Sequence, residues 1–191
     1  RKVKIEYQYE TSKINPEYTV DEGNNLISVY TRNNLHKLDV NWLELVGLFG
    51  NRHSLSLKLR AATIFGPQVD DFYNFYASGL PGMKGYPFYA LGGGRLFTAN
   101  LTYRFPLITN IDTRIAPFYL DKLYFGIYGD WGNAWDEKDV KLNQFKKDIG
   151  AELRLQMFSA YTFPTSLFVN ASYGFDSFTK NFQGKDVTYG K

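Results

Sequence analysis

The sequence predicts an all-β protein, an antiparallel transmembrane β-barrel, from three observations. Aromatic residues make up 18% of the 191 residues, with 15 Tyr and 16 Phe. Mean hydropathy is only −0.34, and no stretch approaches the roughly 18 consecutive apolar residues of a membrane-spanning helix. Segments of about ten residues alternate between apolar and polar side chains, as in barrel strands of which every second residue meets lipid.

The alternation recurs in seven clear segments. In the first, KVKIEYQY, Val3 and Ile5 lie on one face and Lys4 and Glu6 on the other. The other segments, in chain order, are KLDVNW (37–42), HSLSLKLR (53–60), LFTANLTYRF (96–105), KLYFGIYGDW (122–131), IGAELRLQM (149–157) and LFVNASYGFD (167–176). Residues 26–33 form a weaker eighth candidate, so we expect about eight strands.

The polar residues of these segments fall on one face of the predicted sheet. In a barrel that face lines the lumen, where we place Thr102, Arg104, Asp130, Glu152 and Arg154. A soluble β-sandwich would instead bury the apolar face and solvate the polar one, and alternation alone is compatible with both architectures. Aromatic residues near strand ends, and the lack of helical periodicity, favour the membrane barrel.

The connections between the strands differ in length, as in outer-membrane barrels that pair short turns with longer external loops. In increasing length they are the tight turn at 47–51, the intermediate segments 12–24 and 106–119, and the long loops 132–147 and 67–93. No second domain or internal repeat is visible, so we interpret residues 1–191 as one partial barrel domain. Since the chain begins Arg-Lys-Val without an initiator Met, we expect it to be a segment of a longer protein.

The composition argues against several function classes. The chain has no cysteine, so it offers no disulfide, thiolate metal ligand or cysteine nucleophile. Its net charge of +3 is mild and evenly spread, which argues against nucleic acid as a partner. His36 and His53 belong to no recognisable triad or metal-ligand spacing. We therefore predict neither an enzyme nor a cofactor or metal site.

Two acidic pairs lie in predicted loops, Asp70 with Asp71 and Asp136 with Glu137. We interpret them as solvated external charges, with calcium binding as the less favoured alternative. The glycines at 92–94 are followed by no Gly-Lys-Ser/Thr sequence, so they predict a flexible strand start and not a phosphate-binding loop.

Three linked motifs resemble a known family. They are FYASGLPGMKGYP (75–87), GGGRLFTANLTYRFPL (92–107) and LYFGIYGDWGNAWD (123–136). In this order they are similar to the C-terminal half of the barrel of the BamA/TamA superfamily of outer-membrane proteins, also called bacterial surface antigens. The resemblance covers most of residues 1–176, and it implies that the chain supplies about half of a barrel of roughly sixteen strands.

The resemblance also implies a site. In that family a loop folds back inside the barrel, and an Arg at its tip meets acidic groups on the inner wall. By position the loop is 67–93, its tip is Met83, Lys84, Gly85 and Tyr86, and the wall carboxylate is Asp130. Two departures stand out: Lys84 replaces the Arg, and Thr102 stands where the family carries a second acid. We therefore expect one cation to pair with one carboxylate in a wet lumen, with a contribution of only about 0–1 kcal/mol. The plainer interpretation is that Lys84 is a solvated loop lysine.

The function that the resemblance implies is the insertion, assembly or translocation of proteins at the bacterial outer membrane. The implied partners are outer-membrane lipids, unfolded outer-membrane client proteins and accessory lipoproteins. One alternative is a barrel that anchors a larger envelope protein, for example one with a β-propeller. Another is a self-contained eight-stranded barrel that acts as a binding module. The latter requires residues 1–11 to hydrogen-bond to residues 164–176.

Overall fold

The computed structural model of the chain describes residues 1–12, 16–30, 33–50, 52–66, 71–137, 139–160, 162–182 and 185–189. The strands of this part are β1 Lys2–Ser12, β2 Pro16–Val20, β3 Leu26–Tyr30, β4 Asn33–Leu48, β5 His53–Phe65, β6 Phe75–Tyr76, β7 Gly92–Gly93, β8 Arg95–Ile108, β9 Thr113–Ile115, β10 Phe118–Trp135, β11 Lys146–Ser159, β12 Phe163–Gly174, β13 Phe178–Phe182 and β14 Lys185–Tyr189. Single 3-10 turns lie at Asp71–Tyr73 and Leu142–Gln144. The prediction of an all-β antiparallel protein is confirmed. Neither of the described 3-10 turns has the length or apolarity that a membrane crossing requires.

One eight-stranded antiparallel sheet dominates the fold. Its strands follow the order β1-β4-β5-β8-β10-β11-β12, and the short β9 pairs with the start of β10. Nearly every strand therefore lies beside its neighbour in sequence, as in an up-and-down meander. The register aligns one row of residues across five strands: Lys58, Asn100, Asp130, Asp148 and Gly174.

The sheet is open within the described residues. β1 pairs with β4, β12 pairs with β11, and these two end strands do not pair with each other. The alternative of a self-contained eight-stranded barrel is therefore wrong for this structure, because residues 1–11 do not meet residues 164–176.

Residues 26–30 of the weak strand candidate at 26–33 do not join the large sheet, whereas Asn33 begins β4 of that sheet. Leu26–Tyr30 pairs with Pro16–Val20 in a separate hairpin, although residues 12–24 were expected to be a connection. The carboxylate of Asp21 organises the hairpin turn by accepting the amides of Gly23 at 2.9 Å and Asn25 at 2.8 Å. Residues 31 and 32 of the candidate lie outside the described part.

Strand β10 is longer than the sequence pattern predicts. It runs through Gly132, Asn133 and Ala134 to Trp135, so the expected loop 132–147 is reduced at both ends by strand residues. Residues 132–134 do not alternate between apolar and polar side chains, but their backbone pairs with Thr98, Phe97 and Leu96 of β8. Main-chain hydrogen bonds extend the strand regardless of side-chain pattern.

The two faces of the sheet have opposite polarity and opposite burial. The apolar face is exposed: Leu101 is 49%, Ile149 51% and Val169 67% accessible. Residues 71–94 fold back across the part of the polar face that carries Lys58, Asn100, Asp130 and Asp148. A cluster on this covered side comprises Ala62, Ala77, Met83, Tyr86, Leu91, Leu96 and Ala134. In the described part Leu101, Ile149 and Val169 of the apolar face stay exposed, so no second sheet covers these positions as a sandwich would.

Candidate functional site

The loop between β5 and β8 has its own internal scaffold. The amide of Ala77 donates to the Leu91 carbonyl, and the amide of Met83 donates to the Ala77 carbonyl, both at 2.8 Å. The amide of Gly79 returns to the Met83 carbonyl at 2.9 Å, and its φ of +93° suits glycine. These bonds shape residues 77–91 into a compact element that points Met83–Tyr86 at the wall. Residues 67–70 of the expected loop, Asp70 included, lie outside the described residues.

The structure brings Lys84 and Asp130 together. The Lys84 ammonium lies 3.0 Å from Oδ2 and 3.4 Å from Oδ1 of Asp130, and 4.0 Å from the centroid of the Tyr128 ring. The Asp130 side chain has no exposed surface, and only 18% of the Lys84 side chain is exposed. The lysine is therefore not a solvated loop residue, and the pair lies in a drier place than the wet lumen expected from sequence. Beneath the loop, the Lys84 ammonium is neutralised by the Asp130 carboxylate and also contacts the face of the Tyr128 ring.

A second carboxylate at the loop tip was missed by the sequence analysis. The amide of Gly85 donates to Asp148 Oδ2 at 3.0 Å, and the amide of Lys84 donates to Asp130 Oδ2 at 3.3 Å. Asp148 lies directly opposite Asp130 in the register of β10 and β11. The one cation, Lys84, still pairs with one carboxylate, Asp130, and Asp148 is a second carboxylate that binds a backbone amide of the loop. The signal was present: extending the alternation two residues before Gly150 places Asp148 on the polar face.

Gly85 allows the loop to approach the wall closely. A Cβ at this position would lie 2.4 Å from the Asp148 Cβ and 2.9 Å from the Gly174 amide nitrogen. Real Cβ atoms do not tolerate such contacts, so only glycine fits this backbone path. The requirement for glycine is steric: without a side chain, the backbone comes close enough for the Gly85 amide to bind the Asp148 carboxylate.

Tyr86 fixes the far side of the tip. Its hydroxyl donates to the Lys147 carbonyl at 2.9 Å and accepts the Asp176 amide at 3.1 Å. The ring is almost completely buried and lies 5.8 Å, centroid to centroid, from Phe178 of β13. Burial raises the pKa of the Tyr86 phenol above its ordinary value.

Carbonyl groups of the loop are also bound by the wall. Lys58 of β5 donates to the Pro81 carbonyl at 3.0 Å, and Asn100 of β8 donates to the Gly82 carbonyl at 3.1 Å. Ser172 of β12 donates to the Lys84 carbonyl at 2.8 Å. With β10 and β11, five neighbouring strands therefore hold one loop tip. Lys58 and Ser172 were placed on the polar face by sequence but were not predicted to touch the loop.

The other predicted wall residues form a separate ionic cluster. Glu152 Oε1 accepts Arg104 Nη2 at 3.0 Å and Arg154 Nε at 2.9 Å. Glu152 lies four residues along β11 from Asp148, so this cluster is further from the loop end of the sheet. Thr102 lies between the two levels, opposite Tyr128 in register. Arg104 and Arg154 each form an ion pair with Glu152 on this face, whereas contact between Thr102 and the loop tip is not shown.

Other residues considered from sequence have local structural partners. The Tyr7 hydroxyl lies 2.6 Å from His36 Nδ1, and the Tyr103 hydroxyl lies 2.5 Å from His53 Nδ1. Asp136 is more than a solvated charge, because its carboxylate accepts the Gly94 amide at 2.7 Å.

The remaining candidates also have local roles. Asp71 accepts Asn74 Nδ2 at 3.0 Å, and Glu137 pairs with Lys141 at 2.6 Å. Gly93 packs closely on β10, because a Cβ there would lie 2.4 Å from the Trp135 nitrogen. The glycines at 92–94 are thus a close-packed strand start and not simply a flexible one. Within the described ranges, no group of three or more His, Cys, Asp or Glu side chains is arranged to hold a metal ion.

The arrangement as a whole is a seat for a loop. Two carboxylates, from β10 and β11, accept amides of the tip, and three donors, from β5, β8 and β12, bind its carbonyl groups. Comparison of the chain with protein-family models, with curated proteins and with solved structures gave no match. The site is therefore interpreted from its geometry, together with the motif resemblance.

Proposed function

We propose that the chain forms part of the wall of a bacterial outer-membrane β-barrel of the BamA/TamA-like type, and that the barrel takes part in the insertion, assembly or translocation of proteins at that membrane. The observation that carries the proposal is the inverted polarity of the sheet. Asp130 and Asp148 are buried on one face, whereas Ile127, Ile149 and Val169 are exposed on the other.

This distribution is unfavourable in water. Soluble monomers rarely expose contiguous apolar patches larger than a few hundred square ångströms. Each exposed square ångström of apolar surface forgoes about 25 cal/mol of transfer free energy. A lipid environment removes that cost, because acyl chains are as apolar as the side chains that they contact. The exposed apolar face therefore supports a position facing lipid, with the polar face and its loop in the lumen.

Aromatic side chains support the same orientation. At the loop end of the apolar face, Trp131 and Phe97 pack with Phe145 at centroid distances of 4.8 and 6.2 Å. At the opposite end, His53 lies 5.7 Å from both Tyr103 and Phe105. Aliphatic residues occupy the band between these clusters. Transmembrane barrels carry such aromatic girdles at both membrane interfaces.

The open edges of the sheet support a larger barrel. β1 and β12 each have one described partner strand. In hydrocarbon every backbone amide and carbonyl needs a partner, because an unsatisfied group costs several kcal/mol. Strands from outside the described sheet must therefore pair with both edges. This agrees with a barrel of roughly sixteen strands, as the motif resemblance implies.

The membrane orientation is tested by two adjacent residues of β8. Leu101 lies on the apolar face and Thr102 on the polar face at the same depth. Nitroxide labels are attached to cysteines at each position, and their collisions with oxygen and with a water-soluble nickel chelate are measured in vesicles. The expected result is oxygen access for the label at 101 and nickel access for the label at 102. Nickel access at both positions would refute the membrane wall.

The role in protein insertion needs the full-length protein in liposomes. An unfolded outer-membrane protein is added, and its folded fraction is followed by protection from added protease. Faster folding than in empty liposomes supports the insertion role. Unchanged folding by a correctly inserted barrel would favour the membrane anchor of a larger envelope protein. A second assay, export of a protease-sensitive segment, separates translocation from insertion.

A further inference from the structure

The apolar face carries a shallow groove near the loop end of the sheet. Ala151 of β11 and Ala171 of β12 are direct register partners and form its floor. The larger side chains of Ile127, Ile149 and Tyr173 border it. The groove encloses about 460 Å³ and is open to the side on which the proposed barrel meets lipid. Its lining is suited to an apolar chain, since no charged side chain lies in it.

A lysine stands at the loop end of this groove. Lys147 precedes Ile149 by two residues on β11, so both lie on the same face, and Lys147 is exposed. Its amide donates to Asp176 Oδ2 at 2.8 Å. Its carbonyl accepts the Tyr86 hydroxyl at 2.9 Å and the Phe175 amide at 3.0 Å. The main chain of Lys147 is therefore held in place by Tyr86 of the loop tip and by Phe175 and Asp176, which follow β12.

The ammonium of Lys147 has no carboxylate partner in the described part of the chain. Its register partner on β10 is Trp131, a residue of the aromatic cluster at this end of the apolar face. Tryptophan and lysine together are typical of the headgroup level of a membrane protein. The charge thus lies at headgroup depth, and the groove begins immediately below it.

We propose that this groove binds an anionic phospholipid of the surrounding bilayer. The phosphate pairs with the Lys147 ammonium, and one acyl chain lies over Ala151 and Ala171. The inference rests on the proposed membrane orientation. The charge of Lys147 selects the occupant. Its ammonium, without a carboxylate partner in the described residues, attracts the phosphate of an anionic lipid. A lipid without net charge gains only the contacts of its acyl chain with the groove. Because the Lys147 carbonyl accepts the Tyr86 hydroxyl, the bound lipid contacts, in Lys147, a residue that also holds the loop tip.

Trp131 is a built-in reporter for this site. The full-length protein with Trp42→Phe and Trp135→Phe, and with Phe at each tryptophan outside these 191 residues, keeps Trp131 as its one tryptophan. It is placed in phosphatidylcholine vesicles that contain increasing fractions of phosphatidylglycerol with brominated acyl chains. Bromine quenches a nearby indole, so the quenching curve gives the binding of the anionic lipid relative to brominated phosphatidylcholine. We expect a preference for the anionic lipid of about fivefold, since one lysine near a membrane contributes about 1 kcal/mol.

Matched variants separate the charge from the groove. Lys147→Gln should abolish the preference, whereas Lys141→Gln, which removes a loop ammonium paired with Glu137, should retain it. Ala171→Leu should weaken the quenching by both brominated lipids, because it fills the floor that either acyl chain would occupy. Ala61→Leu, on the apolar face of β5, should leave it unchanged. Retention of the slowed, unheated migration of a folded barrel in gels confirms that each variant is folded.

The possible failures are distinguishable. Equal quenching by both lipids, with the same curve for Lys147→Gln, overturns the lipid site but leaves the membrane orientation intact. Absence of quenching by either brominated lipid overturns both proposals. A stable dimer in the vesicles that protects Trp131 from both lipids shows that a second copy occupies the groove, and it also overturns the lipid site.

Discussion

Asp130 and Asp148 face each other across β10 and β11, and consecutive amides of one loop, those of Lys84 and Gly85, each donate to one of them. The loop tip therefore contacts two strands at once. A one-residue slip of β11 would turn Asp148 to the apolar face. The loop seat exists only when these strands hold their native register.

Lys84 and Asp130 should act as one unit. Lys84→Ala and Asp130→Asn are each expected to increase protease cleavage within residues 79–94, because each leaves the other charge without its partner under the loop. The double variant should be no worse than either single variant, with a coupling energy of about 1–3 kcal/mol. Cleavage rates in detergent or lipid measure the effect. Additive losses would show that the two residues act independently.

Gly85→Ala should lift the loop tip from the wall. The added methyl group would meet Asp148 and the Gly174 nitrogen at distances well below van der Waals contact. Protection of residues 79–94 from protease is therefore expected to fall at least as much as in Lys84→Ala. Gly94→Ala is the matched control, since its Cβ would lie 3.5 Å from the nearest heavy atom, an Asp136 carboxylate oxygen. Equal behaviour of the two variants would contradict the close approach at Gly85.

Tyr86→Phe should destabilise the folded protein by about 1–2 kcal/mol, because the Lys147 carbonyl and the Asp176 amide, both in part-buried hydrogen bonds, each lose a partner. Urea unfolding followed by tryptophan fluorescence measures the change. Tyr89→Phe is the control, since Tyr89 is largely exposed. Similar midpoints for the two variants would show that the Tyr86 hydroxyl contributes nothing measurable.

Tyr86 should also make stability depend on alkaline pH. Burial raises the pKa of this phenol above its ordinary value of 10.0, so the folded protein favours the neutral form. The stabilisation is complete below the ordinary pKa and is lost as the pH rises through the raised one. Between about pH 9 and about pH 11, the wild-type protein should therefore lose more stability than Tyr86→Phe. Parallel curves for the two proteins would exclude Tyr86 as the titrating group.

Glu152→Gln should lower the free energy of unfolding by more than the removal of an exposed carboxylate does. It leaves the guanidinium groups of Arg104 and Arg154 close together on the polar face without their shared partner. A loss of about 1–3 kcal/mol in urea unfolding is expected, less than for a fully dry pair because both arginines keep some contact with water. Glu137→Gln, in an exposed pair with Lys141, should change stability by less than about 0.5 kcal/mol. The reverse order would contradict the role of the cluster.

Much of the fold could be predicted because period-2 alternation is a local property of the chain. Leu101 and Thr102 were assigned to opposite faces from sequence, and the structure agrees. Of the hairpin at 16–30, the second strand was a weak candidate from sequence and the first was missed; within the described residues the two strands pair with each other and not with the large sheet. The end of β10 was missed because Gly132–Ala134 carry no alternation, although their backbone continues to pair with β8.

The site was predicted in part. The motif resemblance placed Lys84 beside Asp130, and the structure shows that contact. Asp148, Lys58 and Ser172 were not assigned to the loop seat, because their proximity depends on strand register across the sheet. The register between strands cannot be read from a single sequence.

The sequence by itself determined the all-β class, the polarity of the two faces and the polar residues available to a loop, since each follows from the order of side chains along single strands. Only the tertiary structure decided that the sheet is open within the described residues, that residues 71–94 fold over part of its polar face, and that Asp130 and Asp148 share one loop tip. These features depend on which strands pair, and in which register, over separations of tens of residues. Such pairings are set by the packing of the whole sheet, and local alternation does not encode them.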